Sequence, residues 1–156
     1  MLADSESTVV INGDKHLAGR LCSVVAKMLL NGNRVVLVNA EKILISGSRA
    51  NILKENELRL EITSRVHPKH GPFHPRRPDT YMEKMVRGML PYKKPKGNAA
   101  KKLLRVYISV PEKYQKTEHK TIDTALAKRS LSYYTTIGEL CSSMGWRKIE
   151  LKRNLN

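Results

Sequence analysis

Two short runs of apolar residues on either side of an amphipathic helical pattern constrain this fold most. Thr8–Ile11 and Arg34–Asn39 are rich in β-branched residues and lack polar alternation, which predicts strands covered on both faces. Between them, apolar residues recur at helical spacing over Leu17–Leu29, with Asp14 as a predicted N-cap and Asn31–Asn33 as the stop. A strand, a helix and a strand within about thirty residues predict a right-handed crossover between parallel strands. The start of the chain therefore predicts a doubly wound, Rossmann-like α/β domain.

The middle of the chain predicts shorter elements. Ile43–Ile45 is a further strand-like run, and Ser48 is placed to cap the element that follows it. Ala50–Asn56 favours a helix by propensity, whereas Glu57–Ile62 alternates like a strand, and we favour a helix throughout. Thr80 and Glu83 have capping-box spacing and predict a helix whose core-facing stripe is formed by Met82, Met85, Val86 and Met89.

The last third of the chain completes the predicted sheet. Asn98 is a predicted cap for a short helix that leads into the strand Val106–Val110. Ile122–Ala127 has weak helical character, and Thr136 with Glu139 repeats the capping-box spacing before a final helix. Gly145 is expected to stop that helix, with Trp146 packed behind it and a short, mildly basic tail to follow.

Positive charge is concentrated in one part of the chain, Arg65–Arg105, which we call the basic segment. It holds twelve Lys and Arg residues against two acidic residues, so it carries +10 of the chain's formal net charge of +15. Six prolines interrupt it and fix the path of the backbone. A solvated surface does not require such an imbalance, so the segment predicts a polyanion-binding surface inserted in an otherwise ordinary domain.

Length and composition limit the other possibilities. A chain of 156 residues with 40% hydrophobic residues is suited to one domain with a modest core. Its pI near 10.0 favours nucleic acid or an anionic membrane as partner, and the absence of any apolar run of about 20 residues disfavours the membrane. The only cysteines, Cys22 and Cys141, lie in apolar helical patterns and predict buried, reduced thiols. The first residues show no pattern typical of a targeting signal, so we expect a cytoplasmic protein.

No constellation in the sequence predicts an enzyme or a cofactor. Gly13 and Gly19 do not form GxGxxG, no GxxxxGK(S/T) is present, and Gly19 is more simply expected to allow close helix packing. The acidic residues are scattered singly, and no serine lies in a nucleophile elbow. Three histidines at positions 67, 70 and 74 lie among cations with no cysteine or nearby acid, which disfavours a metal site. We therefore expect no catalytic residues, no cofactor and no metal.

RNA is the predicted partner, because the sequence lacks a helix-turn-helix, zinc finger or basic zipper and carries its charge on irregular loops. Arginine and lysine would contact phosphates, and the three histidines would contact ribose or base. Phe73 has two open interpretations, stacking on a base or plugging the loop against the core.

Five motifs, in their order and spacing, resemble the large-subunit ribosomal protein L-thirteen family in its archaeal and eukaryotic branch. They are VVINGDKHLAGRLCSVVAKMLLNG, VNAEKILISG, HGPFHPRRP, VRGMLPYKKPKG and LCSSMGW, and the resemblance covers roughly residues 9–146. It implies a three-layer α/β/α domain with a mostly parallel sheet of roughly four strands and a helix over residues 48–62. It also implies a structural, non-catalytic component of the large subunit that binds ribosomal RNA early in assembly.

The resemblance also places the RNA-facing loop on Lys69–Arg77 and the RGMLP segment on Arg87–Pro91, followed by the basic run Tyr92–Lys102. This sequence departs from the family pattern in two places, which limits what the resemblance implies. Many eukaryotic members carry a long charged extension after the Gly-Trp segment, whereas ten residues follow Trp146 here, so contacts of that extension are not carried over. The family's Gly-Pro-Tyr-His loop has Phe73 in place of tyrosine, which retains stacking and removes a hydroxyl.

The combined prediction is a single domain over residues 1–156 with the basic segment inserted at about 65–105. Its partners would be large-subunit ribosomal RNA and neighbouring ribosomal proteins on the cytoplasmic ribosome, with nuclear or nucleolar assembly in a eukaryotic source, and neither a membrane nor a small-molecule substrate. An extraribosomal RNA-binding regulator and, less favoured, a Rossmann-type nucleotide- or metal-using enzyme are the alternatives. The predicted RNA-binding residues are Arg20, Arg65, His67, Lys69, His70, Phe73, His74, Arg76, Arg77, Arg87, Tyr92, Lys93, Lys94, Lys96, Lys101, Lys102 and Arg105.

Overall fold

A parallel sheet built from the predicted strand–helix–strand unit lies at the centre of the protein, whose computed structural model describes residues 8–147. β1 (Thr8–Asn12) and β2 (Arg34–Val38) are parallel and are joined by α1 (Ala18–Leu30). β4 (Leu104–Val106) pairs in parallel with the other side of β2, which gives the strand order β1-β2-β4. The α/β fold class and the parallel pair are confirmed.

Within the described residues the parallel sheet has three strands, where the family resemblance implied roughly four. β3 (Leu44–Ser46) pairs instead with β5 (Tyr134–Thr136) in a separate antiparallel sheet. A single parallel bridge from Lys120 to Ile11 adds to the outer edge of β1. The predicted strand Val106–Val110 is shifted to Leu104–Val106, because regular pairing with β2 ends at Val106 and Ser109 adopts a left-handed φ of 60°.

Most of the helices confirm predicted elements, although α1 and two later helices begin at residues other than those predicted, and the short helix Glu112–Gln115 was not predicted. The remaining ones are α2 (Arg49–Glu61), α3 (Pro78–Met89), α4 (Pro95–Lys102), α5 (Glu112–Gln115) and α6 (Ile137–Ser143). α2 is continuous, so the helical interpretation of residues 50–62 was right up to Glu61. Ile122–Ala127 contains only one 3-10 turn, Asp123–Ala125.

Of the five predicted N-caps, three are wrong, whereas Ser48 and Thr136 occupy N-cap positions as predicted. Asp14 lies before α1, whose N-cap is Leu17, and Thr80 and Asn98 lie inside α3 and α4. α3 and α4 each begin at a proline, whose fixed φ and missing N–H suit the first helical position. Thr136 caps α6 as predicted, because its Oγ1 accepts a hydrogen bond of 3.1 Å from the Glu139 N–H.

The main core lies between one face of the sheet and the helices. Met82 and Val86 are fully buried in it, and Met85 is partly buried. Met89 is 42% exposed, so its predicted place in the core stripe is wrong, and the buried Leu90 packs there instead. Cys22 and Cys141 are free and buried in this core, as predicted.

A thinner layer covers the opposite face of the sheet. Val10, Val36 and Val38 are buried there beneath Tyr107, Val110 and Tyr114, and Tyr114 lies on the one-turn helix α5. Helices therefore cover the two faces unequally.

The end of the described chain also agrees with the sequence. Gly145 follows α6 with φ of +96°, and Trp146 is partly buried against the core. The polar N-terminal lead and most of the basic tail lie outside the described residues. Within residues 8–147, none of the helices combines the length and apolarity that crossing a membrane requires.

Candidate nucleic-acid interface

Every predicted RNA-binding residue is exposed except His74, which is half-buried. The α/β core therefore holds these side chains at the surface, and none of the predicted cations is buried in the core. The basic segment comprises most of a Pro/His loop (residues 62–77), the helix α3, a turn over residues 90–94, the helix α4 and the start of β4.

The Pro/His loop has a defined path that is held at both ends. The His67 N–H donates to Ser64 Oγ at 3.3 Å, and a 3-10 turn over Pro68–His70 follows. His74 Nε2 lies 3.0 Å from the Ile62 carbonyl oxygen at the end of α2. Lys84 Nζ on α3 donates to the Phe73 carbonyl at 2.9 Å. The loop thus connects the end of α2 to the side of α3.

The aromatic rings of this loop have different environments. Phe73 is 83% exposed, so it does not plug the loop against the core. His67 and His70 are exposed and meet edge to face, with ring centroids 5.4 Å apart. His74 already uses Nε2 within the protein, so it has less capacity than the other two to contact a ligand.

Arg77, the last residue of the Pro/His loop, is held by contacts with the first turn of α3. Arg77 forms an exposed ion pair with Asp79 at 2.6 Å, and Thr80 Oγ1 donates to the Arg77 carbonyl at 3.1 Å. Because the ion pair satisfies part of its charge, Arg77 is less available than Arg76, for which the described residues provide no hydrogen-bond or ion-pair partner.

The turn after α3 positions Arg87 and the lysines of α4. Arg87 lies over the Tyr92 ring, 5.0 Å from its centroid, a cation–π distance. The Lys94 N–H donates to the Pro91 carbonyl at 2.8 Å, so the turn is closed by its own backbone. Gly97 packs against this turn so closely that a Cβ there would collide with the Pro91 carbonyl.

Two adjoining cavities form what we call the basic groove. One, of about 280 Å³, lies beside Phe73 and Pro75, and the other, of about 570 Å³, lies beside Asn98; both are lined by Glu83 and Lys101. The cations on the two cavities are Lys84, Arg87, Lys101, Lys102 and Arg105.

The basic groove is strongly positive, since among the described residues that line it Glu83 is the only acid. Lys84 was not among the predicted site residues. Its spacing three residues before Arg87, on the same exposed side of α3, is the sequence signal that identifies it.

Arg20 does not join the basic groove. It lies on a separate cleft with Arg49, Lys128 and Arg129, none of which was a predicted site residue. The pair Lys128-Arg129 followed by Tyr133-Tyr134 is a mixed basic and aromatic pattern, and it is the signal that sequence reasoning missed.

The carboxyl edge of the parallel sheet, where a Rossmann-type site would lie, is filled by the protein itself. A Cβ on Gly13 would meet Ile43 Cγ1 at 2.7 Å, so this glycine serves packing. Asn39 Nδ2 donates to Asn12 Oδ1 at 2.9 Å, and buried Glu41 accepts from the Ser109 N–H at 3.0 Å. Gly19 faces open space, so its predicted role in close helix packing is wrong.

Burial perturbs the pKa of three titratable side chains in the core. Burial raises the pKa of Cys22 and of Cys141 to about 12, with the Asp79 charge adding to the effect at Cys141. Burial also raises the pKa of Tyr81, and the Arg59 cation partly opposes it. Among the described residues no group of three or more His, Cys, Asp or Glu side chains is arranged to hold a metal ion.

A small α/β domain that displays a dense basic surface has the electrostatic features of the nucleic-acid-binding class of proteins. A family model described as Ribosomal protein L13 matches residues 6–113. This chain belongs to the Ribosomal protein L13 family, as the sequence motifs predicted.

Proteins named large ribosomal subunit protein uL13 are similar to the chain over most of its length. The one from Methanopyrus kandleri is 38% identical over 147 residues, which cover 92% of this chain and 91% of the relative. The one from Methanosarcina barkeri is 44% identical over 138 residues, which cover 87% of this chain and 96% of the relative. The one from Caenorhabditis elegans is 38% identical over 161 residues, which cover 97% of this chain and 79% of the relative.

Proposed function

We propose that this chain is a structural component of the large ribosomal subunit that binds and organises ribosomal RNA through the basic segment Arg65–Arg105. The single observation that carries the proposal is the basic groove on a chain of this family: five cations from three elements surround one concave surface. The relatives named large ribosomal subunit protein uL13 support the same assignment.

The mechanism is electrostatic positioning. The cations of the groove and of the Pro/His loop neutralise phosphates and release counterions, which fixes RNA segments against the protein. Phe73, exposed at the mouth of the groove, stacks on a base, and His67 and His70 contact ribose or base edges. The chain acts as one domain without catalysis, beside neighbouring ribosomal proteins on the cytoplasmic ribosome and from early in assembly.

Salt dependence of RNA binding tests this proposal directly. A variant with Arg76, Lys93, Lys94 and Lys96 replaced by alanine removes four exposed cations of the basic segment. If all four contact phosphates, the log–log slope of affinity for purified large-subunit RNA against salt becomes less steep by about 3.

The matched control replaces Lys27, Lys54, Lys116 and Lys120, which are also exposed but lie outside the basic segment. It removes the same charge and should leave the slope nearly unchanged. Equal slopes for the two variants would show that net charge, not this surface, determines binding. Cosedimentation of the unmodified chain with large subunits after a high-salt wash tests the ribosomal location.

A further inference from the structure

A second concave surface, which we call the second cleft, lies between the start of α1, the start of α2 and residues 128–134. It has a volume of about 770 Å³. Its lining includes four exposed cations: Arg20, Arg49, Lys128 and Arg129. Among the described residues that line the second cleft there is no Asp or Glu. Like charges gathered around a concavity repel one another, and an anion in the cleft relieves that repulsion.

Hydrogen bonds hold the walls of the second cleft in place. The β3–β5 pairing sets Ser46 opposite Tyr134, which brings the start of α2 to residues 128–134. The Gly47 N–H donates to the Tyr133 carbonyl at 3.4 Å, and the Arg129 N–H donates to the Tyr134 hydroxyl at 3.2 Å. The cleft is therefore a preformed feature of the fold, and its cations come from segments that are distant in sequence.

The chemistry of the lining suits RNA more than an acidic protein. Tyr133 is 60% exposed, and the Arg129 guanidinium lies 6.0 Å from its ring centroid. Exposed Ser48 and Ser132 add hydroxyls beside the cations. Cations for phosphates, hydroxyls for ribose and an aromatic ring for a base together match a single-stranded or looped RNA segment.

We propose that the second cleft binds a separate segment of ribosomal RNA, with its four cations on phosphates and Tyr133 stacked on a base. This inference deepens the proposed function, since it assigns a second contact region to the same protein. α2 separates the two regions: Arg49 at its first residue lines the second cleft, and its C-terminal end holds the Pro/His loop through Ile62. A helix of 13 residues is about 20 Å long, so the two surfaces contact different stretches of RNA.

A directed cleavage experiment tests the two regions separately in the full chain. The variant Ser132→Cys places one exposed thiol on the second cleft, and Asn98→Cys places one on the basic groove. Both native cysteines are buried, so a maleimide-linked iron chelate modifies only the introduced thiol. The labelled proteins are incorporated into large subunits, and hydroxyl radicals are generated at the iron.

We expect the Ser132 chelate to cut ribosomal RNA at nucleotides distinct from those cut by the Asn98 chelate. Intact RNA around the Ser132 chelate, or cleavage of a neighbouring protein alone, overturns the second site. Cleavage from Ser132 with none from Asn98 supports the second site and counts against the basic groove, so the two proposals fail independently.

A binding measurement separates RNA contact from mere proximity. Replacing Arg20 and Arg129 by glutamine should make the salt slope of RNA affinity less steep by about 1.5, while replacing both by lysine should preserve it. The control replaces exposed Lys27 and Lys116 by glutamine. An unchanged slope for the glutamine variant at Arg20 and Arg129 overturns the inference.

Discussion

Two glycines in the VRGMLPYKKPKG motif have opposite physical roles. Gly97 lies in the first turn of α4 and touches the Pro91–Tyr92 backbone, so the site has no space for a side chain. Gly88 lies inside α3, is exposed, and a Cβ there would meet nothing within 4 Å. A sequence reader sees two equivalent glycines, whereas only one of them is required by packing.

Alanine substitutions at these two positions should change stability in opposite directions. Gly97→Ala forces a carbonyl and a Cβ apart and should lower the free energy of unfolding by about 1–3 kcal/mol. Gly88→Ala should raise it by about 0.5–1 kcal/mol, because alanine loses less backbone entropy in a helix. Urea unfolding of the two variants measures both. A shift of the same sign in both variants would contradict the packing difference.

The buried thiols give a residue-scale test of the core. Burial raises the pKa of Cys22 from 9.0 to about 12, so the thiol's stabilising contribution is fully present below pH 9.0 and lost as pH rises toward 12. The difference in unfolding free energy between the unmodified chain and Cys22→Ala should therefore shrink above pH 9.0. Denaturant titrations at pH 7, 9 and 10 check this, and a difference that grows with pH would show that the thiol ionises in the folded core.

At the scale of elements, helix starts were the least predictable feature. Thr80 and Asn98 have good capping side chains, but prolines upstream began α3 and α4 earlier. The prediction of strand pairing was wrong for a different reason. Residues 44–46 have the composition of a parallel strand, and only the distant residues 134–136 determine that they pair antiparallel in a second sheet.

We expect alanine substitutions at the N-caps of α6 and α2 to lower the stability of the protein by different amounts. Thr136→Ala should destabilise the protein by about 1 kcal/mol, because the Glu139 N–H loses its acceptor at the start of α6. Ser48→Ala at the N-cap of α2 should cost only a few tenths of a kcal/mol, because the Ser48 side chain makes no capping hydrogen bond. Thermal or urea unfolding of the pair is the measurement, and equal losses would refute the assigned caps.

At the scale of the whole molecule, charge density and motifs predicted the basic segment and its exposure. Local sequence did not predict the second cleft, because Arg20, Arg49 and Lys128 are far apart in the chain and meet only through the fold. It also could not show that Arg77 is paired with Asp79 or that His74 is bonded to Ile62. Composition thus predicts the kind of ligand, whereas tertiary structure determines which cations lie together.

The two proposed RNA-contact regions predict additive losses of RNA affinity when both are altered. A combined variant carries the alanine changes at Arg76, Lys93, Lys94 and Lys96 together with glutamine at Arg20 and Arg129. The four altered residues of the basic segment do not line the second cleft, so the two sets of changes should add to a change in salt slope of about 4.5. Titration of large-subunit RNA at several salt concentrations gives the slopes of both parent variants and the combination. A combined change no larger than that of the basic segment alone would mean that the second cleft contacts no RNA of its own.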